Sequence, residues 1–282
     1  MLAPYLLGVA FLVVLPALAT FALSLFDADL VQAPEFRGAG NFRELYGDNI
    51  FRFALRNSLL FAAWSVPLRV LGAFGLGMLL HKRFRGSGAL RTSVFLPTVV
   101  PDVAYALVWL WILNPIYGPL NLVLGGVGLG EPAWLSRPGP AQAAVVMMSV
   151  FQIGEGFLIA LAARLMVPRE LEELAAIEGA RAWQTFRRLV LPLMVPALLL
   201  MLLRDTIFAF QASFVPALIV TEGGPPPYST TYLPLFVYRN AFEYLRYGYA
   251  SAATVVMLVV TAAIVWLQYD IVWRWRKGLL VS

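Results

Sequence analysis

Cysteine is absent and histidine occurs once, at His81. The chain therefore has no route to a disulfide framework, a Cys/His metal site or a cysteine nucleophile. Charge is scarce, at 13% of residues, against about 25% in soluble domains. No Gly-x-x-x-x-Gly-Lys-Ser/Thr phosphate loop occurs, so nucleotide chemistry, if any, belongs to another polypeptide. What fills the 282 residues instead is apolar, with 60% hydrophobic residues and a mean hydropathy of +0.76. Such a composition cannot cover a water-exposed surface, and it places the chain in a bilayer. The net charge of +5 is then read as membrane topology rather than as attraction to nucleic acid.

A hydrocarbon core about 30 Å thick needs roughly 20 apolar helical residues. Six runs qualify, at 4–26, 58–80, 93–113, 142–166, 189–210 and 250–272, which predicts an all-α protein with six transmembrane helices and a single membrane domain over 1–282. Pro16, Pro67, Pro97, Pro101, Pro192 and Pro196 lie within these runs and predict kinks rather than breaks in spanning. Ala17-Leu18-Ala19 is similar to a signal cleavage site, but residues 1–4 carry no basic residue, so the first run is read as a retained span. Lys and Arg divide twelve to seven between alternate loops. The richer set is the 81–91 loop, the 164–188 region and the tail. The positive-inside rule then puts both termini and the 167–188 loop in the cytoplasm, and 27–57, 114–141 and 211–249 outside. Phe36, Phe42, Tyr46 and Phe51 in the first outer segment are read as interfacial anchors.

The 168–180 stretch is the most informative. Pro168 suits a helix start, Glu170, Glu172 and Glu173 complement the positive helix N-terminus, and Gly179 suits the left-handed residue that ends a helix. Leu171, Leu174 and Ala175 form one apolar stripe, and Ala175, Ala176, Gly179 and Ala180 allow close approach of another backbone. A lipid-surface helix would be basic on its polar face, whereas this one is acidic, which favours docking to a protein.

Glu173-Leu-Ala-Ala-Ile-Glu178-Gly179-Ala180, followed by Leu191-Pro192, resembles the EAA loop of binding-protein-dependent ABC importer permeases. It departs from that pattern at Leu174, commonly Ala, and at Glu178, commonly Asp. The 109–121 stretch, Thr221-Glu-Gly-Gly-Pro, Tyr238-Arg-Asn-Ala-Phe242 and Gly248-Tyr-Ala-Ser-Ala252 are similar to maltose-type carbohydrate permeases of the first-permease type. The resemblance covers nearly the whole chain. It implies a bacterial or archaeal plasma-membrane permease subunit, paired with a second related permease chain, two ATPase subunits that bind ATP and Mg, and an extracytoplasmic solute-binding protein delivering a sugar or oligosaccharide. Glu170, Glu173, Ala175, Ala176, Glu178, Gly179 and Ala180 then become ATPase-coupling residues. The chain itself is expected to bind no cofactor and to catalyse no reaction.

Ionised residues inside spans cost about 2.5–3.5 kcal/mol on insertion scales and normally face a cavity or a partner group. Arg69 and Asp102 are read as neutralising one another or nearby backbone. Glu155 and Arg204 reach the middle to outer half of the membrane from opposite directions, placed to pair, to contact substrate, or both. Asp205 accompanies them, with Gln152, Phe208 and Gln211 about one turn away, and these six residues form the expected substrate path. Polar groups beside an aromatic ring suit a pyranose, and equally a polyol, an amino acid, a nucleoside or glycerol phosphate. A secondary transporter would show internal repeats and an ion relay, and an intramembrane hydrolase a Ser/His or paired-Asp arrangement. Neither is evident. A purely structural subunit would leave the acidic helix and the intramembrane charges without purpose.

Overall fold

The computed structural model describes residues 2–29 and 33–281, with side chains through residue 274. Helix α1 (Ala3–Leu23) is followed by a small antiparallel pair, β1 (Phe26–Asp27) and β2 (Glu35–Phe36), in which Phe26 faces Phe36. Then come α2 (Gly40–Gly47), α3 (Asn49–Leu80), α4 (Ser87–Val99), α5 (Asp102–Ile112), α6 (Pro119–Gly126), α7 (Pro138–Phe151) and α8 (Gly154–Leu165). The chain continues through α9 (Arg169–Ile177), α10 (Ala182–Val220), α11 (Leu233–Tyr238) and α12 (Tyr247–Val281). Helices α1, α3, α10 and α12 are each long and apolar enough to cross a membrane. The bent pairs α4–α5 and α7–α8 bring the number to six when each pair counts as one span.

Helix α3 starts nine residues earlier than the apolar run suggests. Asp48 caps it, its Oδ1 accepting from the amides of Ile50 (2.7 Å) and Phe51 (3.3 Å), while Oδ2 accepts from the hydroxyl of Tyr249 (2.7 Å). Its 32 residues make a rod about 48 Å long, about 18 Å longer than the hydrocarbon is thick. Phe51, expected at the interface, is instead buried against Phe236, with ring centroids 5.6 Å apart. Phe36 and Tyr46 remain exposed.

Three of the prolines act differently from a simple kink. Widened π-turns at Ala10–Val14 and Phe186–Val190 precede Pro16 and Pro192, which relieves the clash between a proline ring and the carbonyl four residues back. Pro101 does break its span: α4 and α5 diverge by 103° around it. The 43° break between α7 and α8 involves no proline. There side chains from other helices take up the freed groups. The Tyr105 hydroxyl donates to Met148 O (2.7 Å), Arg69 Nη1 donates to Ser149 O (2.6 Å), and the Gly154 amide donates to Thr98 Oγ1 (3.0 Å).

The largest buried apolar cluster joins α3, α8 and α10 with α11 and the start of α12. Helices α3 and α8 touch at small residues: a Cβ on Gly77 would lie 2.8 Å from the Cβ of Ala160. At one end of the bundle, α2 is clamped by Glu44, which pairs with Arg37 (3.0 Å) and Arg246. Partial burial alone would raise the Glu44 carboxyl, but the two guanidiniums outweigh it and hold it below its ordinary value.

Candidate functional site

Four charges meet within the spans. Asp205 of α10 is 2% exposed, and its Oδ1 accepts from Arg204 Nη1 (2.8 Å) and Arg69 Nη2 (3.4 Å). Arg204 also forms an ion pair with Glu155 in the first turn of α8. The result is a chain of alternating sign, Arg69–Asp205–Arg204–Glu155, with no net charge. Both guanidiniums lie over the ring of Phe208, at 4.9 Å for Arg69 and 5.4 Å for Arg204, so one aromatic face orders both cations. Gly156 leaves room for this packing; a Cβ there would approach Ala73 to 3.2 Å.

The four differ in exposure, and that difference divides their work. Arg69 and Asp205 are 2% exposed, Arg204 is 27% and Glu155 50% exposed. Asp205 therefore sits behind Arg204 and touches no open space, a correction to its expected place in the substrate path: one residue on from Arg204, it points about 100° further round the helix, into α3. Gln152 stands at the α7–α8 break, half-buried. Gln211 is exposed and lines a groove with Thr20 of α1 and Thr254 of α12. Arg69 and Asp102 do not pair. Asp102 is exposed in the first turn of α5, where the helix dipole favours a carboxylate, and Arg69 serves Asp205 and the Ser149 carbonyl. The sequence reading missed Arg69 as a member of the cluster; its partner lies 136 residues away, beyond any local spacing signal.

The second region is α9 and its exit. The Ala180 amide donates to Ala175 O (2.9 Å) and the Gly179 amide to Ala176 O (3.1 Å), with Gly179 at φ +79°. This is the Schellman ending that a glycine permits. Glu170, Glu173, Ala176, Glu178 and Gly179 are exposed, while Ala175 and Ala180 are half-buried. Leu171, Leu174 and Ile177 form an exposed apolar stripe, reaching 83% exposure at Ile177. Beside it a shallow groove of about 390 Å³ is lined by Glu178, Gly179, Ala180, Gln184 and Arg188. The Glu172 side chain turns inward to Arg164 of α8. His81, at the end of α3, donates from Nδ1 to Met78 O at 2.5 Å. Burial lowers its pKa below the ordinary value, and Arg164 and Lys82 lower it further, outweighing the Met78 hydrogen bond and the Glu172 carboxylate, which raise it.

Together, broken spans closed by side chains, a charge cluster at mid-span and an exposed acidic helix ending on a glycine define a multi-pass membrane transport component. The pattern of the family described as "Binding-protein-dependent transport system inner membrane component" matches residues 72–277, and the chain belongs to that family. It is 33% identical over 267 residues to the probable ABC transporter permease protein YesP of Bacillus subtilis, covering 93% of this chain and 86% of the relative. It is 30% identical over 281 residues to the trehalose/maltose transport system permease protein MalF of Thermococcus litoralis, covering 98% and 93%. In fold it is similar to a chain of a bacterial alginate ABC transporter solved with a pentasaccharide-bound periplasmic protein, at a TM-score of 0.84, 22% identity and coverage of 98% and 94%. The chain is thus a membrane-spanning permease subunit of an ABC importer.

Proposed function

We propose that this chain is one half of a two-permease channel that imports a sugar or oligosaccharide delivered by an extracytoplasmic solute-binding protein. The observation that carries the reading is the half-exposed Glu155–Arg204 pair within the spans. Lipid tolerates such charges poorly, so this face meets a polar path completed by a second, related permease chain. Carboxylate and guanidinium both hydrogen-bond hydroxyls, and Phe208 offers an apolar face for sugar C–H groups. The names of the relatives, which specify trehalose/maltose and lactose transport, support the substrate class. Glu155, Arg204, Phe208 and Gln152 form the substrate path, with Asp205 holding Arg204 from behind. Two ATPase subunits, which bind ATP and Mg, dock on Glu170, Glu173, Ala175, Ala176, Glu178, Gly179 and Ala180. This chain binds no cofactor and catalyses no reaction.

The direct test is uptake of radiolabelled maltose, trehalose and lactose by the reconstituted importer with its binding protein. A Glu155→Gln/Arg204→Met variant removes both exposed charges without leaving one unpaired, so assembly is expected to survive. Uptake is expected to fall about tenfold or more, the loss of one or two charge-assisted hydrogen bonds. Uptake at the wild-type rate would show that the pair only neutralises itself.

Orientation has its own check. A reporter after Gly86 is expected to read cytoplasmic and one near Gly224 external, as the basic 81–91 loop implies. The reverse result would place α9 on the wrong side for an ATPase.

A further inference from the structure

Helix α8 has an ion pair at each end. Near its start Glu155 pairs with Arg204, and the Gly154 amide is held by Thr98. At its far end Arg164, only 7% exposed, grips Glu172 of α9 with both branches, Nη1 to Oε1 at 2.8 Å and Nη2 to Oε2 at 2.9 Å. Between these ends the helix is unbroken and packed along α3, with Phe157, Ala160 and Leu161 buried. Its length, about 17 Å, spans from mid-membrane to the α9 end of the bundle.

The link from α8 to α9 is residues 166–168, too short to act as a flexible tether. Val167 is buried against Val190 and Met194 of α10, and Pro168 fixes its own φ at −62°. With the bidentate pair added, α9 is held at two points and cannot tilt without taking α8 with it. Stability does not explain why a guanidinium is buried here. Arg164 Nε has no partner, and buried ion pairs commonly do no better than an apolar pair of the same shape. What the pair supplies is fixed direction: a planar fork on a carboxylate resists rotation in a way that apolar contact does not.

We propose that Arg164 and Glu172 are positioning residues that make α8 a rod, carrying movement of α9 to the Glu155–Arg204 pair and the α7–α8 break. The proposal rests on the reading of α9 as the ATPase contact. It goes beyond that reading by assigning transmission to one named ion pair.

This chain has no native cysteine, so in an importer whose other subunits are made cysteine-free each label sits at a single site. Nitroxide labels go at Ile177→Cys, exposed on α9, or at Leu158→Cys, 43% exposed on α8 one turn from Glu155, in the full importer in lipid. With Arg164 and Glu172 intact, ATP with vanadate is expected to change the spectra at both positions. In an Arg164→Met/Glu172→Gln background the Ile177 label is expected to respond as before, while the Leu158 response falls about tenfold. Arg164→Lys, which keeps the charge but not the fork, is expected to restore part of it, and it also serves as the readout should the double variant fail to assemble. An undiminished Leu158 response in either background would overturn the clamp. A silent Ile177 label with the pair intact would instead remove the docking reading, and the clamp's role with it.

Discussion

Asp205→Ala is expected to leave little stable protein. Asp205 is 2% exposed and is the carboxylate that faces Arg69, itself 2% exposed. Removing it leaves the Arg69 guanidinium with the Ser149 carbonyl and hydroxyl, at 2.6 and 3.3 Å, and the Phe208 ring. An uncompensated buried charge of this kind costs about 3–5 kcal/mol, a large part of the roughly 5–15 kcal/mol by which folded proteins exceed their unfolded state. The thermal midpoint of the purified complex is expected to drop on the order of 10 °C. Arg69→Met/Asp205→Leu removes both charges and is expected to recover most of that loss, although the Ser149 carbonyl at the α7–α8 break loses one of its two donors and keeps only the Gln152 amide (3.1 Å). If Asp205→Ala and the double variant were equally stable, the cost would lie in lost packing rather than in the stranded guanidinium.

That contrast marks where the sequence was legible. Apolar runs locate the spans because bilayer thickness imposes a length on every one of them, and Gly179 is readable because a helix ending on a left-handed residue favours glycine over residues with a bulky side chain. Counting residues inward from Gln142 and Leu189 also puts Glu155 and Arg204 at matching depth, where the structure pairs them. Other features depend on what the helix meets. The α7–α8 break has no proline to announce it and exists because Thr98, Tyr105 and Arg69 reach it from α4, α5 and α3. Asp205 was grouped with Arg204 because they are adjacent, yet one residue of helix turns it toward α3. Gln211 was grouped by spacing, but α1 and α12 form the groove it lines. Depth along a span is a one-dimensional quantity that sequence records; the azimuth at which neighbouring helices arrive is not.

The coupling assignment predicts a different kind of loss, one without unfolding. At Gly179 a side chain would meet nothing within 4 Å, so Gly179→Val creates no clash. Its cost is conformational, because a β-branched residue at φ +79° is strongly disfavoured. The backbone is expected to leave the left-handed region, breaking the Ala180-to-Ala175 bond and redirecting the exit of α9, with the six spans intact. ATP hydrolysis stimulated by the binding protein, and sugar uptake with it, are expected to fall about tenfold or more while the amount of inserted permease is unchanged. Gly179→Asn is the informative control, since asparagine adopts the left-handed conformation at modest cost and still adds a side chain. Retained activity in Asn with loss in Val would attribute coupling to the helix ending itself. Equal loss in both would mean that the ATPase surface approaches Gly179 too closely for any side chain. Full activity in the Val variant, in stably inserted protein, would remove α9 from the coupling path.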